Sequence, residues 1–272
     1  MPSPHFCSLY SVYLEILCAN KIDGTEIVLS NATGCLYKYR EKCYLITSWH
    51  VLSGKNSITG KSLNSYLATP EFIRVHFPVD GNVTEEIVRT YELVATDGGF
   101  NWIEHSKSGA IDVAALEIEI PEGIATFDIA EATKVPGLGQ KDEFFYVTKE
   151  VWVIGFPKGI RRGGLPIWKR ATIASESSSE KGFSESRTIL DTATREGMSG
   201  SPVLYVNSNL SRLSFDNRKQ EVLFPSVKLL LGIYSGRIAG DDELAAQLGI
   251  VWNSDCIPEI ISLNLKYECR ST

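Results

Sequence analysis

Three short stretches of the sequence carry residues that together could attack a carbonyl group. His50 follows the apolar run at residues 43–47, Asp112 opens the apolar run at residues 112–118, and Ser199 lies in a glycine-flanked turn. A serine hydroxyl is a weak nucleophile until an imidazole removes its proton, and a buried carboxylate must hold that imidazole in one tautomer. We therefore predict that Ser199 is a nucleophile, that His50 is its general base and that Asp112 orients His50.

The turn around Ser199 has the composition that an oxyanion site requires. Gly197 and Gly200 flank the serine, and glycine leaves backbone N–H groups unobstructed by a Cβ atom. Backbone N–H groups stabilise the negative oxygen of a tetrahedral intermediate. The spacing predicts that the N–H groups of Gly197 and Ser199 form this oxyanion hole.

The other candidate ionisable residues fit structural roles better than catalytic ones. Asp97 is the nearest rival to Asp112, but it does not directly precede a buried apolar strand. His5, His76 and His105 are predicted to be structural or surface residues, with His76 facing solvent from a strand. Four histidines and six cysteines show no recognisable zinc spacing, so we predict no metal and no cofactor.

Charge and cysteine usage limit the partners and the compartment. Lys and Arg number 27 against 33 Asp and Glu, and the net charge of −6 argues against a general nucleic-acid or anionic-membrane binder. The N-terminus lacks the basic start of a secretory signal, and Glu15 interrupts its apolar stretch. The six cysteines form no C-x-x-C pair. We expect a cytoplasmic protein with free thiols that binds neither nucleic acid nor membrane.

The elements that must position these residues are mostly short β-strands. Runs of β-branched and aromatic residues alternate with clusters of Gly, Asn, Asp and Ser, which is typical of an all-β barrel or sandwich. The predicted strands cover residues 36–38, 43–47, 71–78, 86–95, 112–118, 151–155, 168–174, 188–193, 201–206, 228–235 and 249–252.

Two helices and two loops complete the predicted organisation. The last helix starts after Ser254 or Asp255 and has Pro258 in its first turn, and a shorter helix is expected at residues 241–248. Residues 175–186 are rich in serine and have little to bury. The loop at residues 157–166 has three basic residues, which either contact a phosphate or acidic peptide or are simply solvated.

The sequence resembles the chymotrypsin-fold (trypsin-like) serine peptidases, and most closely the bacterial HtrA-type catalytic domain. The family motif G-x-S-G-G-P appears at residues 197–202 with Ser201 replacing a glycine, T-A-x-H appears as T-S-W-H at residues 47–50, and D-[IL]-A-[VL]-L appears as D-V-A-A-L at residues 112–116. The three motifs occur in the chymotrypsin-type order of histidine, aspartate and serine. Val51 stands where the family's histidine-loop disulfide needs a cysteine, and no PDZ-like segment follows residue 262.

This resemblance implies an all-β fold, a double antiparallel β-barrel (chymotrypsin-like) with a short C-terminal helix. The whole chain, residues 1–272, is then one peptidase domain. The N-terminal barrel covers about residues 9–125, the C-terminal barrel about 145–252, and the helix and tail 254–272. The substrate-binding residues that the resemblance implies are Ala193, Thr194, Ser235, Gly236 and Arg237.

The expected function is that of an intracellular serine endopeptidase that cleaves polypeptides through an acyl-enzyme. Ala193 and Thr194 supply no acid at the base of the primary pocket, so specificity for Arg or Lys is not expected. A catalytically silent peptide-binding scaffold on the same fold is the alternative. A third possibility concerns context: the chain is an effector that a protein partner activates in a bacterial stress or defence pathway.

Overall fold

The computed structural model describes residues 4–64, 67–105, 111–133, 144–176, 187–207, 211–215, 220–224, 227–238 and 247–268. The strands are β1 (Ser11–Ala19), β2 (Glu26–Tyr39), β3 (Lys42–Thr47), β4 (Phe72–Val79), β5 (Asn82–Glu92), β6 (Trp102–Glu104), β7 (Ala114–Glu117), β8 (Glu150–Gly155), β9 (Ile167–Ile173), β10 (Arg187–Asp191), β11 (Pro202–Asn207), β12 (Ser211–Phe215), β13 (Gln220–Phe224), β14 (Val227–Arg237) and β15 (Leu248–Asn253). The helices are α1 (Trp49–Ser53) and α2 (Cys256–Glu268), with short 3₁₀ turns at Phe6–Tyr10, Ile129–Thr133 and Pro157–Gly159.

The strands form two antiparallel units in chain order. The N-terminal sheet has seven strands in the order β5-β4-β1-β2-β3-β7-β6, and the C-terminal unit is a closed barrel in the order β10-β15-β14-β11-β8-β9. Strands β12 and β13 form a separate hairpin. The predicted all-β, chymotrypsin-like class of two β-barrels is confirmed, and so is the final helix, α2.

Strand β1 was absent from the predicted strands because both of its faces are buried. Val12 and Leu14 pack in the core of the N-terminal sheet, whereas Tyr13 stacks edge-on against Phe156 of the C-terminal half. A strand covered on both sides reads as a continuous apolar run, and such a run lacks the alternation that distinguishes a strand in sequence. The strands β6, β12 and β13 were also missed, and β2 is far longer than the predicted segment at residues 36–38.

Helix α2 closes the junction between the two units. Ile257 and Ile261 are fully buried in a cluster that also holds Ile46 of β3 and Ile233 of β14. Most of the shorter predicted helix, residues 241–246, lies outside the described residues, and Leu248 begins β15 instead. Residues 177–186 of the predicted serine-rich loop also lie outside them.

The described cysteines are reduced, and no described helix could cross a membrane. Cys7, Cys18, Cys35, Cys43 and Cys256 are free thiols, and all but Cys43 are buried. Within the described ranges, neither helix is both long and apolar enough to span a bilayer. The expectation of free thiols is therefore confirmed for these five residues.

Candidate active site

His50 lies in a five-residue helix at the end of β3. Gly54 caps the C-terminus of helix α1: its N–H donates to the carbonyl oxygen of His50 at 3.0 Å, and its φ of +68° suits glycine. The hydroxyl of Ser48, directly before α1, donates to the carbonyl oxygen of Tyr234 in β14 at 3.3 Å. The segment that carries His50 is thus a short helix whose start is bonded to the C-terminal barrel.

Asp112 is buried and holds His50 by two hydrogen bonds. Its side chain is 4% exposed, and its Oδ2 atom lies 2.6 Å from Nδ1 of His50. Its Oδ1 atom accepts a hydrogen bond from the backbone N–H of His50 at 2.8 Å. The rival residue, Asp97, is exposed in a turn and accepts from the N–H of Gly99. The structure therefore places Asp112, and not Asp97, beside the imidazole.

The hydroxyl of Ser199 faces the other nitrogen of the same imidazole. Its Oγ atom lies 2.9 Å from Nε2 of His50 and 3.0 Å from the carbonyl oxygen of Ser235. A neutral histidine that donates from Nδ1 to Asp112 presents a lone pair on Nε2, which can accept the Ser199 proton. The three residues predicted from separate stretches are thus brought into one hydrogen-bonded chain.

The loop around Ser199 requires glycine at both Gly197 and Gly200. Gly197 has a φ of +89°, and a Cβ atom there would lie 2.3 Å from the carbonyl oxygen of Phe156. Gly200 has a φ of +84°, and a Cβ atom there would lie 2.0 Å from the carbonyl oxygen of Thr33. In the described part of the chain, the N–H groups of Gly197 and Ser199 have no protein acceptor. Both N–H groups are therefore available to an oxygen of a bound substrate.

The predicted substrate-binding residues lie on two segments beside Ser199. Ala193 is exposed, whereas Thr194 is buried and its hydroxyl bonds to that of Tyr234. The pairing of β14 with β11 ends at Ile233, and beyond it Gly236 and Arg237 pair with β15 alone, whereas Ser235 lies at a bulge in that pairing. One edge of this segment, Ser235 to Arg237, is therefore open to an extended peptide.

A cavity of about 490 Å³ opens beside Ser199 and His50, away from Ser235. Its walls are more apolar than polar, and they include the amide groups of Asn31 and Asn64 and the carboxylate of Glu196. Besides Ser199 and His50, the residues that line it include Ile16, Leu29, Asn31, Val51, Leu63, Asn64, Pro70, Glu196 and Gly197. This arrangement could hold a side chain of a polypeptide that passes the nucleophile.

The prediction for His76 was wrong, and the prediction for the loop at residues 157–166 was wrong for Arg161, whereas Lys158 and Arg162 of that loop are exposed. His76 does not face solvent: its side chain is 10% exposed, and its Nδ1 atom lies 2.9 Å from a carboxylate oxygen of Glu86. Arg161, in the loop predicted to be solvated or to contact an anion, pairs with the same Glu86 at 2.6 Å and lies over the ring of Tyr13. The pairing of β4 with β5 brings Glu86 near His76, and Arg161 of the loop reaches the same carboxylate.

The two other histidines have structural surroundings. Nδ1 of His5 accepts a hydrogen bond from the N–H of Cys7, and buried His105 lies 3.3 Å from a carboxylate oxygen of Glu259. Among the residues that the structure describes, no three His, Cys, Asp or Glu side chains are grouped to hold a metal ion.

Sequence reasoning missed one residue of the site, Thr33, and one role of Ser235. The hydroxyl of Ser235 donates to Oδ2 of Asp112, a role beyond its predicted place in substrate binding. Thr33 of β2 contacts the nucleophile loop through both its hydroxyl and its backbone N–H. The partners of Thr33 here are backbone groups, which every residue type offers, so no sequence signal marked Thr33.

Comparisons with known proteins identify the family. Comparison with curated proteins gives no match. Among solved structures, the Rv3671c protease from M. tuberculosis in its active form is 14% identical, with a TM-score of 0.46 over 94% of this chain and 80% of that chain. The trypsin-like peptidase domain family matches residues 32–210, which include His50, Asp112 and Ser199. Because this match covers more than half of the 272 residues, the chain belongs to the family of trypsin-like peptidase domains.

Proposed function

We propose that this chain is a serine endopeptidase that hydrolyses peptide bonds through an acyl-enzyme intermediate. One observation carries the proposal: Ser199, His50 and Asp112 form a continuous chain with contacts of 2.9 Å and 2.6 Å. These are hydrogen-bond distances between a nucleophile, its base and a buried orienting carboxylate. No cofactor is needed for this chemistry.

The reaction begins when Oγ of Ser199 attacks the carbonyl carbon of the scissile peptide. Nε2 of His50 takes the hydroxyl proton, and the carbonyl oxygen becomes an oxyanion that accepts from the N–H groups of Gly197 and Ser199. The carbon–nitrogen bond then breaks, and His50 gives its proton to the leaving amine. Water, deprotonated by His50, hydrolyses the resulting ester and restores the Ser199 hydroxyl. Asp112 stabilises the imidazolium that forms in both halves of the reaction.

The substrate is an extended polypeptide that binds along β14. The open edge from Ser235 to Arg237 can pair with a peptide as an added strand, which aligns the scissile bond with Ser199. The part of the substrate that follows the scissile bond then runs towards the cavity beside His50. This binding mode favours unfolded or loop segments over folded proteins, since the peptide must supply a free strand edge.

We further propose a cytoplasmic setting and control by a protein partner, with a bacterial effector as the biological context. The five described free thiols support a reducing compartment. Met198, which directly precedes Ser199, is buried in the core of the C-terminal barrel. Its side chain carries no charge, so it cannot pair with an amino terminus newly formed by cleavage of the chain. Activation by partner contact, without removal of an N-terminal peptide, is consistent with that feature.

A fluorophosphonate probe tests the proposed chemistry. The purified wild-type protein is expected to take one label on Ser199, and Ser199→Ala and His50→Ala are expected to take none while keeping the wild-type melting temperature within a few degrees. Ser11→Ala is the control, because the hydroxyl of Ser11 bonds to the carbonyl oxygen of Ile154 and to none of Ser199, His50 and Asp112. A wild-type protein that stays unlabelled, alone and with cell extract added as a source of partners, would support the silent scaffold instead.

A further inference from the structure

Thr33 connects three backbone groups on the C-terminal side of the site. Its hydroxyl accepts a hydrogen bond from the N–H of Phe156 at 3.1 Å and donates to the carbonyl oxygen of Gly197 at 2.8 Å. Its backbone N–H donates to the carbonyl oxygen of Ser199 at 2.9 Å. Thr33 is fully buried in β2, so water cannot replace these bonds readily.

The carbonyl groups of four consecutive residues in the nucleophile loop are all engaged. Thr33 holds those of Gly197 and Ser199, the N–H of Lys158 donates to the Glu196 carbonyl at 2.6 Å, and the N–H of Ser201 donates to that of Met198 at 3.0 Å. A planar trans peptide points its C=O and the following N–H in opposite directions. Holding the carbonyls of residues 196 and 198 therefore turns the next N–H groups, those of residues 197 and 199, away from these donors.

The loop needs such restraint because glycine gives it freedom. Gly197 at φ +89° can rotate its flanking peptides at little steric cost, and a rotated peptide would withdraw its N–H from the oxyanion. The donor to residue 196 is itself held under strain, since Lys158 has a left-handed φ of +51° without being glycine. A contact from outside both segments is required to hold the nucleophile loop and the turn at Lys158 in a fixed position relative to each other.

Thr33 provides that contact, because its single hydroxyl touches both segments. The bond from Phe156 N–H anchors the entry to the strained turn at Lys158, and the bond to the Gly197 carbonyl anchors the loop that the turn restrains. Gly155 leaves space for this contact, since a Cβ atom there would lie 2.6 Å from the Thr33 hydroxyl. The N-terminal sheet thereby sets the geometry of a loop that belongs to the C-terminal barrel.

We propose that Thr33 is a positioning residue, whose hydroxyl keeps the N–H of Gly197 directed at the oxyanion. The proposal rests on the proposed serine-peptidase function, because it concerns the oxyanion of that reaction. Thr33 itself does not contact the reacting atoms. Loss of one oxyanion donor costs about 10²–10³ in rate, and loss of its positioning should cost a part of that factor.

The test compares Thr33→Val, Thr33→Ser and a matched control variant with the wild-type protein. Two quantities are measured: the rate of fluorophosphonate labelling and the affinity for a peptide boronate. Both reagents form a tetrahedral adduct that needs the oxyanion hole. Thr33→Val, which keeps the shape and removes the hydroxyl, is expected to lower both by about 10- to 100-fold. Thr33→Ser, which restores the hydroxyl, is expected to stay within about threefold of wild type. Binding of an unreactive peptide with the same sequence is expected to change less than about threefold in either variant.

Thr188→Val is the matched control for lost stability. Thr188 is a buried threonine of β10 whose hydroxyl bonds to the side chain of Asn253 and not to the nucleophile loop. Its labelling rate is expected to stay at the wild-type value even if its melting temperature falls as far as that of Thr33→Val. If Thr33→Val does not fold, Thr33→Cys replaces it, because a thiol of similar size is a weak donor and should label at least about tenfold more slowly than Thr33→Ser.

The outcomes separate this proposal from the function on which it rests. A wild-type protein that labels, together with folded Thr33→Val that labels equally fast, would overturn the positioning role and leave the peptidase function intact. Equal rates for Thr33→Cys and Thr33→Ser, or failure of Thr33→Ser to restore labelling, would also overturn it. Wild-type protein that never labels would contradict the peptidase function and, with it, any role in positioning an oxyanion donor.

Discussion

Ser235 donates its hydroxyl to Oδ2 of Asp112, the same carboxylate oxygen that Nδ1 of His50 contacts at 2.6 Å. The carbonyl group of Ser235 also faces the hydroxyl of Ser199 at 3.0 Å. One residue of β14 thus contacts both ends of the chain of residues that runs from carboxylate to nucleophile. Its hydroxyl helps to fix the buried carboxylate, and its backbone helps to place Oγ of Ser199.

Ser235→Ala should therefore lower kcat about tenfold and leave KM nearly unchanged. A hydrogen bond to a charged group contributes about 1.5–3 kcal/mol, and each change of about 1.36 kcal/mol in the activation free energy corresponds to about a tenfold change in rate. The measurement is steady-state hydrolysis of a fluorogenic peptide, with Ser11→Ala as the control for loss of a buried serine hydroxyl. An unchanged kcat in the folded Ser235→Ala protein would contradict the role of Ser235 in holding Asp112.

Cleavage should not be specific for Arg or Lys. Ala193 is exposed, and Thr194 is bonded to buried Tyr234, so neither position offers a carboxylate to a basic side chain. A mixed peptide library should be cut mainly after small or medium apolar residues, and Ala193→Asp should add cleavage after Arg and Lys. Arg237, at the exposed end of β14, is the competing influence, because its charge would favour acidic residues. Arg237→Ala distinguishes these effects, and a library cut mainly after Arg and Lys by the wild-type protein would refute this prediction.

The cavity beside His50 should favour substrates that have an apolar residue after the scissile bond. Leu63 and Val51 contribute apolar wall to it, and burial of a large apolar side chain contributes about 1.5–3 kcal/mol. Leu63→Ser should reduce kcat/KM about five- to tenfold for peptides with Leu or Phe after the scissile bond and little for those with Gly there. Ile58→Ser is the control, because Ile58 is 84% exposed and does not line the cavity. Equal losses for the Leu and Gly peptides would argue against this use of the cavity.

The protein should lose stability as the pH rises above about 9. Burial raises the pKa of Cys7 from 9.0 to about 12 and that of Cys43 to about 11, and it raises the pKa of Cys35 as well. A raised folded-state pKa means that the unfolded chain loses its thiol protons first, so the contribution to stability is complete below pH 9 and disappears as the pH rises through the folded values. Urea unfolding at pH 7, 9 and 10.5 measures the effect.

Cys35→Ala should show a smaller fall in stability between pH 7 and pH 10.5 than the wild-type protein. The variant starts from a lower stability because a buried side chain is shortened, so the comparison is made on the slope with pH and not on the absolute value. A free energy of unfolding that is constant from pH 7 to 10.5 in the wild-type protein would contradict the prediction.

The catalytic candidates could be read from the sequence because their requirements are local. The turn at Ser199 needs glycine at Gly197 and Gly200 for its backbone conformation, and His50 and Asp112 each adjoin an apolar strand of the same sheet. Strand β3 pairs with β7 directly, so two residues that follow or precede those strands are brought to one place. The all-β class was equally accessible, since short apolar runs between turn residues need no long-range information.

Other parts of the site were decided by tertiary structure. Strand β1 was not predicted from the sequence because the C-terminal barrel covers its second face. The ion pair between Arg161 and Glu86 forms because the loop at residues 157–166 contacts β5, which is distant in sequence. Thr33 binds backbone carbonyl and N–H groups, which every residue carries, so no residue type marks its partners in the sequence. Sequence therefore determines which side chains can do the chemistry, whereas the packing of the two β units decides which backbone groups hold them, because a hydrogen bond to the main chain depends on position alone.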